Sequence, residues 1–271
     1  MRMRTSHMKT LILSMACLLI CRCASVHAAD LRLQFLFDGP APVPKPLDVD
    51  RDKAVCGQLN LLDERLLVDQ ETKGIQNVMV YLYTGRGGTQ LPASIPTKQT
   101  RILRARECRF EPRVVLAQSG DKLVFDVSEA KVGHNINVNF FHNMPSGLSL
   151  PSGSNRDFAL RQAEPAPLPI DCNIHPWMRA WLVVLDHPYA AVSDAQGRIE
   201  IKGLPENQEL TFRVFHEDAR HLTNITIDGN VQQWDRNRFK ITLVKGTNDL
   251  GQVKLSPENF ASIQTAGSTG Q

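Results

Sequence analysis

Cysteine, histidine and methionine follow one another at intervals of three residues in Cys172-Asn173-Ile174-His175-Pro176-Trp177-Met178. One short loop thus carries a thiol, an imidazole and a thioether. His134, at the end of a predicted strand, offers a second imidazole from another part of the chain. Two His, one Cys and a weaker Met form a donor set for copper, because sulfur suits Cu(I) and imidazole accommodates both oxidation states. Zinc on His134, Cys172 and His175 fits less well, since zinc favours a tetrahedron without a thioether. Pro176 removes a backbone donor and restricts His175, which stiffens the loop. Asn135 is expected to tie the two ligand segments together by hydrogen bonds outside the donor set. His175, flanked by Pro176 and Trp177, is expected to reach an apolar surface where a redox partner docks.

Such a centre needs elements to hold it and a compartment that suits its thiol. Arg2, Arg4 and Lys9 precede the apolar run from Thr10 to Ile20, and cleavage signatures end at Ala28 or Ala29. This pattern reads as a signal peptide over 1–29, too short in its apolar run to span a bilayer. A lipoprotein signal at Cys17, Cys21 or Cys23 lacks the small preceding residue it requires at Cys21 and Cys23. The expected location is periplasmic or secreted, with no membrane span after cleavage. The chain has 31 basic and 28 acidic residues; the leader holds four of the basic ones and no acid, which leaves 27 against 28. Nothing in that balance points to a nucleic-acid partner. Cys56, Cys108 and Cys172 remain after cleavage. If Cys172 binds metal, a Cys56–Cys108 disulfide is the pair left; unpaired thiols or a bond to another chain are the alternatives.

The rest of the chain reads as strands separated by Gly, Pro, Asn and Asp. Candidates are 31–37, 78–83, 110–116, 122–127, 136–141, 181–186, 198–202, 210–216, 239–245 and 252–256, on period-two alternation and β-branched or aromatic content. Residues 50–67 hold at most a turn or two of helix, since Gly57 interrupts them. Segments 39–46 and 144–169 read as loops. The class is all-β, built from β-sandwiches. His142, His187 and His216 read as surface or structural histidines.

His134-Asn135 followed by Cys172-x-x-His175-Pro176-Trp177-Met178 resembles the cupredoxins, of the plastocyanin and amicyanin kind. The lead-in Phe110-x-Pro112-x-Val114, Gly120-Asp121-x-Leu123 and Phe125 is similar as well. The resemblance covers roughly 105–188 and implies a Greek-key cupredoxin sandwich. It also implies one type 1 copper ion on His134, Cys172, His175 and Met178. Two positions depart from the family: Asp171 stands where an aromatic residue usually precedes the Cys, and Ala180 where a Gly follows the Met. Around it, Gly74–Leu82 and Ala191–Pro205 with Leu210–His216 resemble the two halves of a carboxypeptidase-regulatory or transthyretin-like sandwich. The combined layout resembles exported bacterial proteins labelled methylamine-utilisation proteins.

The expected division is a leader (1–29), an N-terminal β segment (30–104), a cupredoxin domain (105–188), a second, smaller Ig/transthyretin-like sandwich (189–258) and a flexible tail (259–271). The cupredoxin segment is expected either inserted into the second sandwich or consecutive with it. The function expected is one-electron transfer to a transient redox-partner protein, without substrate turnover. Copper storage or delivery, and a metal-free structural module, are the alternatives.

Overall fold

The computed structural model describes residues 28–267 apart from 94, 95, 97, 145 and 220. The leader through residue 27, with Cys17, Cys21 and Cys23, and residues 268–271 lie outside the described residues. Nearly all regular structure is β, in four sheets. The first sheet runs Arg198–Leu204, Ala29–Phe37, Gly246–Leu255, Ile225–Ile227, Asn230–Gln232. The second runs Ala190–Val192, Met79–Leu82, Glu209–Phe215, Arg238–Thr242. These two enclose one apolar core, with Leu31, Phe35 and Val253 on one side and Val80, Leu82 and Phe212 on the other.

The third sheet is Val114–Gln118, Arg179–Leu185, Leu168–Asp171, His134–Val138, Ser146–Leu150. The fourth is Arg109–Glu111, Thr100–Arg106, Lys122–Asp126, Asn155–Ala159. They enclose a second core around Leu123, Phe125, Ile136 and Leu182.

The densest apolar runs are strands covered on both faces. In Met79–Leu82, Val80 and Leu82 enter the first core, while Met79 and Tyr81 turn the other way. In Arg179–Leu185, Ala180, Leu182 and Val184 enter the second core. Val183 and Leu185 point out of it and meet Met79 and Tyr81. Period-two alternation gives each face its own partner, so neither strand has a polar face to show.

Strands from before residue 83 and from after 189 share sheets. Ala29–Phe37 pairs with Arg198–Leu204 and, in parallel, with Gly246–Leu255. Met79–Leu82 lies between Ala190–Val192 and Glu209–Phe215. The strands between 100 and 185 pair only among themselves. The expected boundary at 104/105 falls inside the strand Thr100–Arg106, whose Leu103 and Ala105 are buried in the second core.

Other expectations also change. Segment 144–169 is not a loop throughout: Ser146–Leu150 and Asn155–Ala159 are edge strands, and Asn155–Ala159 is too exposed and polar to show an apolar period. The strand expected over 110–116 is split at Pro112 and Arg113 into strands of different sheets, as proline's missing donor requires. The tail expected from 259 begins with ordered structure. Phe260 is wholly buried against Phe37, and Ala261–Gly267 is helical. Asp218 anchors that helix by accepting hydrogen bonds from the Ser262 N–H and hydroxyl. No described helix is long and apolar enough to cross a membrane.

Candidate metal centre

Leu168–Asp171 and Arg179–Leu185 form an antiparallel pair that starts at Asp171 and Arg179, so residues 172–178 are its turn. Two backbone bonds shape the turn: the Cys172 N–H donates to the Met178 carbonyl (3.2 Å) and the Met178 N–H to the His175 carbonyl (2.9 Å). Cys172, His175 and Met178 point inward and are at most 2% exposed, whereas Asn173, Ile174 and Pro176 face solvent. Asp171 also pairs with Asn137 of His134–Val138. That strand alternates, so His134, Ile136 and Val138 are buried. The register brings His134 beside the turn.

The donor atoms of His134, Cys172 and His175 lie within 4.8 Å of one another, and all three residues are buried. The two Nδ1 atoms are 3.1 Å apart, and Cys172 Sγ is 3.7 Å from His175 Nδ1. Bonds of about 2.0 Å to imidazole nitrogen and about 2.3 Å to thiolate sulfur set donors sharing one ion about 3–4 Å apart. The chain's own donors therefore fit a metal ion. Met178 belongs to the same buried cluster as Cys172.

Electrostatics support a thiolate. Burial disfavours the charged sulfur, but hydrogen bonds from His134, His175 and the Asn135 N–H outweigh it and draw the thiol down to about 5. Burial also opposes charge on His175, yet Cys172 and Asp52 raise it above its ordinary value.

The residues around the donors differ in part from expectation. Asn135 does link the ligand segments, but through its backbone: its N–H donates to Cys172 Sγ (3.3 Å), while its side-chain amide donates to the Leu148 carbonyl. Trp177 donates its indole N–H to the Cys108 carbonyl (3.1 Å) and lies 5.2 Å from the His175 ring. Cys56 and Cys108 form a disulfide. The acid at Asp171 is an ion-pair partner of Arg179 (2.6 Å), so its charge is matched locally. Ala180 fills a wholly buried core position. His142 is exposed and bonds to the Ala163 carbonyl. His187 and His216 are buried, as structural histidines would be.

The expected surface edge of His175 is absent: the residue has no solvent exposure. Its Nε2 lies 2.7 Å from Asp52 Oδ2. Asp52 precedes the 3₁₀ turn Cys56–Gln58 and comes from a segment 123 positions upstream in the chain. No local motif joins it to the ligand loop, so the sequence pattern did not single it out.

No family model and no curated protein matches the chain. Among solved structures it is similar to the copper-containing nitrite reductase of Thermus scotoductus SA-01, at 18% identity and a TM-score of 0.27. That match covers 37% of this chain and 24% of the reductase chain, so the chain spans about a quarter of that protein. An amicyanin variant in its Cu(I) form matches at 15% identity and a TM-score of 0.26, over 31% of this chain and 79% of its own. A purple cupredoxin from Nitrosopumilus maritimus matches at 17% identity and a TM-score of 0.22, over 28% of this chain and 80% of its own.

Proposed function

We propose that this is an exported mononuclear copper protein of the type 1 kind that acts as a one-electron carrier rather than an enzyme. The observation that carries the reading is the convergence of His134 Nδ1, His175 Nδ1 and Cys172 Sγ in a buried place, within one coordination shell. Copper bound there supplies a Cu(I)/Cu(II) couple. Cys172 contributes the thiolate, His134 and His175 the nitrogen donors, and Met178 is the candidate for a weaker axial contact. The donors are carried on paired strands, Leu168–Asp171 with Arg179–Leu185 and His134–Val138 with Ser146–Leu150, a support that would keep the site's shape similar in both oxidation states. The Cys56–Cys108 disulfide agrees with export to an oxidising compartment. A transient redox-partner protein is the partner this role requires.

Adding Cu(II) to purified protein tests the reading. An intense visible thiolate-to-copper band is expected at one equivalent of copper and disappears in Cys172→Ser, which keeps the volume but removes the thiolate. No band and no bound copper would defeat it. The enclosure of His175 favours copper storage as the second reading. A bound copper that cycles slowly between its oxidation states, with no measurable exchange to a small redox protein, would support storage over electron transfer.

A further inference from the structure

The segment around Asp52 has the construction of a pinned lid. Its base is closed by a short antiparallel clamp: the Leu47 N–H donates to the Leu61 carbonyl (2.9 Å), and the Asp63 N–H to the Lys45 carbonyl (2.8 Å). Compact loops with adjoining ends of this kind pack on their own side chains. Here Cys56, Leu61 and Cys108 are buried, with Leu47, Val49, Val55, Val132 and Trp177 against them. Between base and disulfide, Asp52 sits at φ +45°, a left-handed conformation that Asp tolerates better than most residues. Its carbonyl accepts the N–H groups of Val55 and Cys56 (2.9 and 2.8 Å). The turn that aims its carboxylate at His175 is therefore tied directly to the disulfide.

The far side of His175 shows the purpose of that aim. Nδ1 faces His134 Nδ1 and Cys172 Sγ. Nε2 faces Asp52. A carboxylate acceptor at Nε2 fixes the proton there, which leaves the Nδ1 lone pair for a metal and holds the ring in place. Trp177, bonded to the Cys108 carbonyl, flanks the same ring, so the disulfide supports the lid and the ligand loop together.

We propose that residues 45–63 form a disulfide-pinned lid over His175, with Asp52 as the positioning residue that sets its tautomer and orientation and slows loss of the metal. This rests on the copper reading above and goes further: it assigns retention of the ion to a segment remote in sequence from every ligand.

The test uses the full chain loaded with one equivalent of Cu(I), comparing wild type with Asp52→Ala, Asp52→Asn and the double variant Cys56→Ser/Cys108→Ser. Two quantities are read: the rate of copper transfer to a small Cu(I) chelator, and nitrogen-15 NMR of the histidine rings. In wild type, the His175 Nε2–H is expected as a resonance protected from solvent exchange. Asp52→Ala should speed transfer by about tenfold or more and remove that protection. Asp52→Asn, whose amide oxygen still accepts the bond, should stay within about threefold of wild type. The double variant, with Asp52 intact but unpinned, should also release copper faster. Transfer from Asp52→Ala at the wild-type rate would overturn the lid, and so would an unprotected His175 Nε2–H in wild type, which needs no variant to fold. Wild type that takes up no copper would overturn the copper reading and the lid with it; unchanged release from copper-loaded Asp52→Ala would overturn the lid alone.

Discussion

His216 shows what burial does to an imidazole outside the candidate metal centre. It lies edge-on to Phe260 at 5.6 Å, and its Nδ1 accepts the Asp218 N–H. Burial disfavours its charged form, and Asp218 offsets this only in part, so its pKa falls from 6.5 to about 4. The folded state therefore binds fewer protons than the unfolded chain between those values. Stability from this group is complete above the unfolded pKa and is lost as pH falls toward the folded one, by up to about 3 kcal/mol. His216→Phe keeps a ring of similar size and removes the proton site. Denaturant unfolding of both proteins at pH 7 and pH 4.5 should show the variant losing about 2 kcal/mol less across that range. Equal losses would show that His216 does not titrate in this way. Groups common to both proteins cancel in the comparison. At this scale, the spacing of Cys172, His175 and Met178 was legible because one loop holds them all. Asp52 was not, since it meets His175 across 123 positions of chain, from a segment held by the clamp and the disulfide.

Elements were legible where both faces of a strand are buried. VMVYLY and WLVVL are apolar or aromatic at every position because each faces two cores, and such runs stand out in any sequence. Edge strands were not legible: Asn155–Ala159 is almost entirely exposed, and its place in the sheet comes from pairing with Lys122–Asp126 rather than from its own composition. The turn before Arg198–Leu204 shows how tightly the elements meet. Gly197 has φ +77°, and a Cβ there would lie 2.1 Å from the Phe35 carbonyl oxygen and 3.1 Å from Gly74 Cα. The Gly197 carbonyl also accepts the Phe35 N–H (2.8 Å), so the backbone cannot retreat without losing that bond. Gly197→Ala combines left-handed strain with a backbone collision and should cost about 2–4 kcal/mol. Gly229, also at positive φ but with open space around it, serves as the control. Gly229→Ala should cost about 1 kcal/mol, as strain alone. Equal destabilisation of the two variants in thermal unfolding would show that the close approach to Phe35 does not matter.

For the whole molecule, the relation between the two sandwiches decides whether the candidate metal centre sits on a rigid support. Met79 and Tyr81 from one meet Val114, Val183 and Leu185 from the other, with Trp181 against Phe215 at 4.7 Å. An ion pair closes the edge of this contact: Arg113 binds Glu217, both side chains are nearly buried, and the Trp181 indole donates to the same carboxylate. The sequence hinted at this arrangement through halves of one sandwich pattern lying on either side of the other. It did not reveal the contact, because the residues involved alternate with core residues along strands that look uniformly apolar. Packing of these apolar side chains should make the sandwiches unfold together, and calorimetry of the wild-type protein should show a single transition. Val183, 2% exposed at the centre of the contact, tests the coupling. Val183→Asp buries an unpaired carboxylate between the sheets while leaving each sandwich's own core intact, at a cost of about 3 kcal/mol or more. The transition should then split, with fluorescence of Trp177 and Trp181 following one component and Trp234 the other, since they belong to different sandwiches. A variant that loses stability yet still unfolds in one coincident transition would place the coupling in the chain crossings near residues 83–100 and 185–190 instead of in the packed face.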